Sequence, residues 1–99
     1  MQHLVYILFS KKLNRFYIGY TSNIEQRMVF HEQAASHKFT SNAKDWKLFL
    51  KLECESKMQA LAVEKHIKKM KSKVYIQNLK IYPEMRIKLL DKYNQGSPR

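Results

Sequence analysis

The pattern of apolar and polar positions predicts strands in the first half of the chain. Residues 3–9 form a nearly continuous apolar run, which is typical of a central strand covered on both faces. A polar stretch suited to a hairpin loop follows, and residues 15–20 then predict the returning strand. From Trp46 to Leu52 every second residue is apolar, and this period of two indicates a third strand.

Other segments carry the start signals and the spacing of helices. Ser22 to Glu25 have the form of a capping box, which predicts a first helix over about 23–34. A second capping box at 56–59 opens a helix over about 57–72. Pro83 predicts the start of a last helix, because proline is tolerated in a first turn. The apolar stripe predicted for the second helix consists of Ala60, Val63, Ile67 and Met70.

Three stretches lack a clear period. Residues 35–44 fit a polar loop, 74–82 fit either a short helix or an extended piece, and 95–99 fit a flexible tail after a single domain over 1–94. The predicted order of elements is β-β-α-β-α-α. The expected fold class is therefore α+β, with a three-stranded antiparallel sheet flanked by helices.

The charge of the chain points to the kind of partner. Nineteen Lys and Arg against eight Asp and Glu give a net charge of +11. The excess is concentrated from Lys57 to Lys80, where seven lysines accompany a single acid, Glu64. Such a surface attracts polyanions and makes their binding steeply salt-dependent, so we expect a nucleic acid and no membrane as partner. The lysines expected to contact phosphates are Lys65, Lys68, Lys69, Lys71 and Lys73.

Length and composition exclude several other classes. Ninety-nine residues suffice for one core, and no apolar run approaches the roughly 18 residues of a membrane span. The N-terminus has no signal-peptide pattern, and Cys54 is the only cysteine, which predicts a reducing, cytoplasmic location. The four histidines do not have zinc-type spacing, and the sequence has no glycine-rich phosphate loop.

Candidate chemistry gathers around Gly19, the only glycine in the first 95 residues. It closes a strand-like run, where glycine suggests that backbone or a ligand approaches closely. Tyr17 precedes it, and Tyr6 stands on the neighbouring strand. Arg27 and His31 lie four apart, on one face of the next helix. Taken singly, each of these residues also fits an ordinary core or surface position.

Together these residues have a specific order and spacing. Val5-Tyr6-Ile7 is followed by Tyr17-Ile18-Gly19, by Arg27 eight residues after the glycine, by His31 and, on a downstream helix, by Glu64. This set resembles the GIY-YIG nuclease family, most closely its small stand-alone bacterial members, which are similar to the N-terminal nuclease module of the bacterial excinuclease. The resemblance covers most of the chain. Glu64 alone also fits an (i, i+4) ion pair with Lys68.

The resemblance implies the fold predicted above and a divalent-metal-dependent cleavage of DNA phosphodiesters, with a role in DNA repair or recombination. It implies that Tyr6 and Tyr17 are the motif tyrosines, one of which takes the proton from the attacking water. Arg27 then binds the phosphate, and His31, one turn later, orients the phenol. Glu64 matches the carboxylate that holds one Mg²⁺ or Mn²⁺ ion.

Further positions match the family less closely. Leu4 replaces the glycine that gives the first motif its name, and Tyr20 replaces a lysine of the excinuclease module. The second change leaves open which group tunes the neighbouring tyrosine. Asn78, fourteen residues after Glu64, loosely matches an accessory asparagine. Gly19 is expected to let the phosphate approach the sheet, because it has no Cβ.

Two other functions also fit the sequence. A non-catalytic nucleic-acid-binding module on the same fold needs the basic surface but neither the carboxylate nor the tyrosines. The other is a small structural or protein-interaction domain, which would associate with DNA only weakly and without dependence on salt.

Overall fold

The chain folds as an α+β domain, as its pattern predicts. The computed structural model describes residues 2–33 and 45–94, with residues 30–33 described in their backbone alone. The predicted loop at 35–44 and the predicted tail at 95–99 therefore lie outside the described residues. The elements in chain order are β1 (His3–Ser10), β2 (Arg15–Thr21), α1 (Ile24–Gln33), β3 (Lys47–Cys54), α2 (Lys57–Met70), α3 (Lys73–Ile81) and α4 (Pro83–Lys92).

Strand β1 is the centre of the sheet. Its neighbours are β2 and β3, both antiparallel to it, so the order is β2-β1-β3 within the described part of the chain. Residues 4–8 are all buried, which confirms the prediction of a strand covered on both faces. Since side chains alternate along a strand, Val5 and Ile7 face one side of the sheet and Tyr6 faces the other.

The helices α2, α3 and α4 close the core on the Val5–Ile7 face. Burying one such aliphatic side chain contributes roughly 1.5–3 kcal/mol, so this layer is the main source of stability. The core residues that the three helices contribute are Ala60, Val63, Ile67, Ile76, Leu79 and Leu89. Met70, which we predicted in the same stripe, is instead 45% exposed. It is the last residue of α2, because Lys71 has a left-handed backbone (φ 50°) that ends the helix.

Side-chain caps explain where the helices begin. The first cap is Asn23 rather than Ser22, because the Asn23 Oδ1 accepts the Gln26 N–H at 3.1 Å. Ser56 caps α2 as predicted, accepting the Gln59 N–H at 3.0 Å. The Gln59 amide then donates to the carbonyl of Leu90 at 2.7 Å and ties α2 to α4.

The sequence left two possibilities for residues 74–82; of these, 74–81 belong to helix α3 and Tyr82 caps its end. Ser72 starts it by accepting the Tyr75 N–H at 3.1 Å, and the structure thus has one helix more than the predicted order. Among the described residues, no helix combines the length and the apolar character that crossing a membrane requires.

Strand β3 departs from the predicted period of two at a bulge. Ile7 pairs with Leu50, but Leu8 pairs with Leu48, so Phe49 is the extra residue. Phe49 consequently packs on the core side together with Leu50, and its ring meets Phe16 edge-on at 4.9 Å between centroids. The alternation of apolar residues is therefore interrupted in the fold although it is regular in the sequence.

Candidate active site

Two phenols lie side by side on the face of the sheet opposite the core helices. Tyr6 pairs with Gly19 and Leu8 pairs with Tyr17, which makes the two tyrosines diagonal neighbours across β1 and β2. Their ring centroids are 6.2 Å apart. Tyr6 is only 1% exposed, whereas Tyr17 is half-buried and meets solvent. We therefore call Tyr6 the inner phenol and Tyr17 the outer phenol.

Gly19 makes room for the inner phenol. Its backbone does not need a left-handed conformation, since its φ is not positive. A Cβ at this position would stand 2.5 Å from the Tyr6 hydroxyl oxygen and 2.6 Å from Cζ. The close approach predicted from the sequence is therefore real, but the group that approaches is the Tyr6 ring. Our expectation that Gly19 leaves this space for a phosphate is wrong.

Charges from two helices reach the inner phenol. Burial raises the pKa of Tyr6 above its ordinary value, and Tyr17 raises it further through its charge and through a hydrogen bond between the two side chains. The negative charge of Glu64 on α2 acts in the same direction, whereas the positive charge of Arg27 on α1 opposes it. The fold therefore places the two phenols side by side and leaves Arg27 and Glu64 within electrostatic range of Tyr6.

Arg27 is positioned by the turn between β2 and α1. The Thr21 hydroxyl donates to the Asn23 carbonyl at 3.1 Å and accepts the Asn23 N–H at 3.0 Å, which fixes the turn. Arg27 follows in the first turn of α1 and is half-buried. It lines a cleft of about 370 Å³ together with Tyr20, Thr21, Ser22, Asn23 and Gln26. The guanidinium and the N-terminus of α1 both favour an anion there.

His31 lies on α1, one turn after Arg27. Its side chain is outside the described residues, so its role as the orienting group stays a prediction.

Glu64 has the partner that its spacing predicts. Its Oε2 accepts the Lys68 ammonium at 2.8 Å, and the Glu64 side chain is 17% exposed against 54% for Lys68. The described residues hold no group of three His, Cys, Asp or Glu side chains that could share a metal ion. A site with one carboxylate fits Mg²⁺ or Mn²⁺, because hard cations of this kind keep several waters and take further oxygens from phosphates. It does not fit zinc.

Lys51 is a residue of this face that our sequence analysis did not single out. It is the cross-strand partner of Tyr6 on β3, on the side away from Gly19, and it is exposed. Side chains opposite each other in an antiparallel pair have Cβ atoms about 4.5–5.5 Å apart. The alternation in β3 puts Lys51 on the same face as Glu53, but only the register shows that this face carries Tyr6.

Tyr20 lines the Arg27 cleft but does not contact the phenols through any described bond, and Asn78 lies on the other side of the sheet. The Tyr20 hydroxyl lies 3.1 Å from Nδ1 of His3, so the tyrosine in the place of the excinuclease lysine has a histidine partner. Asn78 lies on α3, whose buried residues pack on the opposite face of the sheet, and its carbonyl accepts the Tyr82 N–H at 2.8 Å. Nothing in 2–33 or 45–94 connects the Asn78 amide with the phenols.

The lysines predicted to contact phosphates do not form one surface. Lys68 pairs with Glu64 and does not line the Arg27 cleft or any other described basic cleft. Lys65 and Lys69 line a different cleft, next to α4. Lys71 ends α2, and Lys73 begins α3. All five are exposed.

Comparison with known proteins identifies the family. Residues 2–79 match the GIY-YIG catalytic domain. The chain belongs to the GIY-YIG family. The resemblance stated from the tyrosine, arginine and carboxylate pattern is thereby confirmed.

A solved structure agrees with this assignment. The chain is similar to the UPF0213 protein BH0048 from Bacillus halodurans, whose structure was determined by NMR in solution, with 27% sequence identity and a TM-score of 0.52. The match covers 83% of this chain and 86% of the other. None of the curated proteins compared with the chain matches it.

Proposed function

We propose that this GIY-YIG protein is a metal-dependent endonuclease that hydrolyses phosphodiester bonds of DNA. One observation carries the proposal. Tyr6 and Tyr17 lie side by side with ring centroids 6.2 Å apart, and Tyr6 lies within electrostatic range of both Arg27 on α1 and Glu64 on α2. Membership of a nuclease-type family supports the reaction class. The net charge of +11 supports a nucleic acid as the substrate.

Arg27 is the group we assign to the phosphate. Its guanidinium presents a fork of donors that matches two phosphate oxygens. Bound at the Arg27 cleft, the phosphate gains negative charge on its non-bridging oxygens in the transition state, and a fixed donor stabilises that charge more than it stabilises the ground state.

Tyr17 is the phenol we assign as the proton acceptor. Tyr6 is only 1% exposed, so an attacking water does not reach its hydroxyl, and burial, which raises its pKa, further disfavours its phenolate form. Tyr17 meets solvent and shares a hydrogen bond with Tyr6. A neutral Tyr6 hydroxyl can donate to the Tyr17 oxygen and stabilise negative charge on it. His31 is the group we expect to orient the Tyr17 phenol.

Glu64 is the residue that would hold one Mg²⁺ or Mn²⁺ ion. When bound, the ion neutralises charge on a phosphoryl oxygen and on the leaving 3′-oxygen. Binding requires Lys68 to give up its place at the Glu64 carboxylate, which costs little because exposed (i, i+4) pairs stabilise a helix by only about 0.2–0.5 kcal/mol.

A nicking assay tests the proposal against its main alternative, a non-catalytic module that only binds nucleic acid. We expect supercoiled plasmid to become nicked with Mg²⁺ or Mn²⁺ and to stay intact with EDTA. Binding without nicking in either metal would instead favour the non-catalytic module. The sequence also motivates a role in DNA repair or recombination, which cleavage of a panel of DNA structures would test. It further motivates a location in the cytoplasm, which a localisation experiment would test.

A further inference from the structure

A second basic cleft lies between α2 and α4, away from the phenols. Its volume is about 600 Å³. Its charged lining consists of Lys65, Lys69 and Lys92, and the rings of His66 and Tyr93 stand between them. The described lining contains no carboxylate, so the three positive charges are not neutralised within the cleft.

The cleft is on the other side of α2 from Glu64. Successive residues turn by about 100° around an α-helix, which puts Lys69 about 140° and His66 about 160° around the axis from Glu64. The core residues of α2 lie between these two sides. A group bound in the cleft therefore does not touch the candidate catalytic site.

The rings of His66 and Tyr93 are held in place by their own contacts. Nδ1 of His66 lies 2.9 Å from the Tyr93 hydroxyl, and the two rings meet edge-on at 5.6 Å between centroids. Lys92 also stands over the Tyr93 ring at 5.6 Å. The cleft therefore combines lysines that have no carboxylate in its described lining with two polar rings that bond to each other, and this combination suits an anion.

We propose that this cleft is a second phosphate-binding site, which holds the backbone of the same nucleic acid whose scissile phosphate lies at the phenols. The inference rests on the proposed function for its ligand. A strand rises about 3.4 Å per nucleotide, and an α-helix with its side chains is about 10–12 Å across, so one strand passes α2 in roughly three nucleotides. Lysines act as point charges on phosphates, so the cleft adds affinity and orientation rather than sequence preference.

Two triple variants with equal loss of charge test the proposal. The cleft variant combines Lys65→Ala, Lys69→Ala and Lys92→Ala. The control variant combines Lys11→Ala, Lys12→Ala and Lys57→Ala, which are exposed lysines outside the cleft. Binding of a short fluorescent DNA duplex is measured in EDTA between about 50 and 200 mM salt. We expect the cleft variant to lose at least tenfold in affinity and the salt slope to fall by about 2.7 units, since each of the three lost phosphate contacts removes about 0.9.

The control variant should keep its affinity within about threefold and its salt slope within about one contact. Replacing the same three cleft residues by arginine should restore binding, because the charge is restored. Equal losses in the two alanine variants would show that only overall charge matters and would overturn the proposal.

Inorganic pyrophosphate separates the failure of this inference from the failure of the nuclease proposal. We expect pyrophosphate to shift the His66 ring signals in NMR spectra of the wild-type protein, and not those of the cleft variant. Such shifts would support the cleft even if the protein nicks no plasmid. Unmoved His66 signals would overturn it even if the protein is an active nuclease.

Discussion

The two sides of helix α2 differ in what they can do, although they come from one lysine-rich stretch of sequence. On one side the charge of Glu64 raises the pKa of the buried phenol Tyr6, and the charge of Arg27 lowers it. On the other side Lys65 and Lys69 join Lys92 of α4 around a histidine. Because neighbouring residues on a helix point about 100° apart, Glu64 and Lys65 belong to different surfaces. The position of a residue around the helix, more than the total charge, therefore decides whether it belongs to the candidate active site or to the cleft between α2 and α4.

The strongest test of this separation is Glu64→Gln. The variant keeps the size of the side chain but loses the charge that would hold the metal ion, whose contribution is several kcal/mol. We expect cleavage to fall more than about a thousandfold, at about 1.4 kcal/mol per tenfold, in a plasmid-nicking time course. Duplex affinity should stay within about twofold.

Glu84→Gln is the matched control, because Glu84 is an exposed carboxylate at the start of α4. It should cleave at the wild-type rate. Normal cleavage by Glu64→Gln as well would remove this carboxylate from the proposed mechanism and erase the contrast between the two sides of α2.

Arg27→Ala tests the other charge at the phenols. Loss of a donor aimed at a transition-state oxyanion typically costs about 2–4 kcal/mol, so the single-turnover cleavage rate should fall by that amount. Arg27→Lys should recover only part of it, because an ammonium cannot make the forked contact. Arg15→Ala, an exposed arginine at the start of β2, serves as the control. An unchanged rate in Arg27→Ala would make Arg27 an ordinary surface residue.

Most of the fold could be predicted because its signals are local. The apolar run of β1, the Ser56 cap, the first-turn Pro83 of α4, and the spacing of Ala60, Val63 and Ile67 each depend on a few neighbouring residues. The bulge at Phe49 could not be predicted, since it depends on how β3 meets β1. Residues 74–82 contain β-branched and apolar residues that fit either structure, and only the Ser72 cap and the core contacts of α3 decide for a helix.

The candidate site was predictable only as a set of residues. The order of tyrosines, arginine and carboxylate indicated which side chains to consider, but not which phenol is sealed from solvent. That difference arises because Tyr6 lies over Gly19, its partner on the neighbouring strand. Lys51 was missed for the same reason, since its place beside Tyr6 follows from strand register. Contacts between distant segments decide both.

Gly19→Ala tests whether the inner phenol is as tightly enclosed as its contacts indicate. The added Cβ meets the Tyr6 ring and must displace it, and overpacking of this kind typically costs about 1–3 kcal/mol. We expect that loss in the free energy of unfolding measured with urea, together with slower cleavage. In a Tyr6→Leu background, where the ring is absent, Gly19→Ala should cost much less. Equal costs in both backgrounds would show that the strain does not come from Tyr6.

The smallest expected effect is a loss of unfolding free energy at alkaline pH that is caused by the ionisation of Tyr6. Its pKa in the folded protein is raised above the ordinary value of 10.0, mainly by burial, so the unfolded chain releases this proton first as the pH rises. The stability that Tyr6 provides is thus complete below pH 10 and is lost above it. The loss amounts to about 1.4 kcal/mol per pH unit until the folded protein also ionises.

Tyr6→Phe removes this one titration and leaves the lysines and the other tyrosines in place. We expect the difference in unfolding free energy between the wild type and Tyr6→Phe to be constant from pH 8 to pH 9 and to shift by about 1.4 kcal/mol against the wild type by pH 11. Tyr17→Phe is the control, because Tyr17 meets solvent. This variant should keep the alkaline loss of stability that is assigned to Tyr6. A constant difference up to pH 11 would mean that Tyr6 ionises as readily in the folded protein as in the unfolded chain. In that case the inner phenol could itself accept a proton, and the assignment of Tyr17 as the outer, reacting phenol would lose its basis.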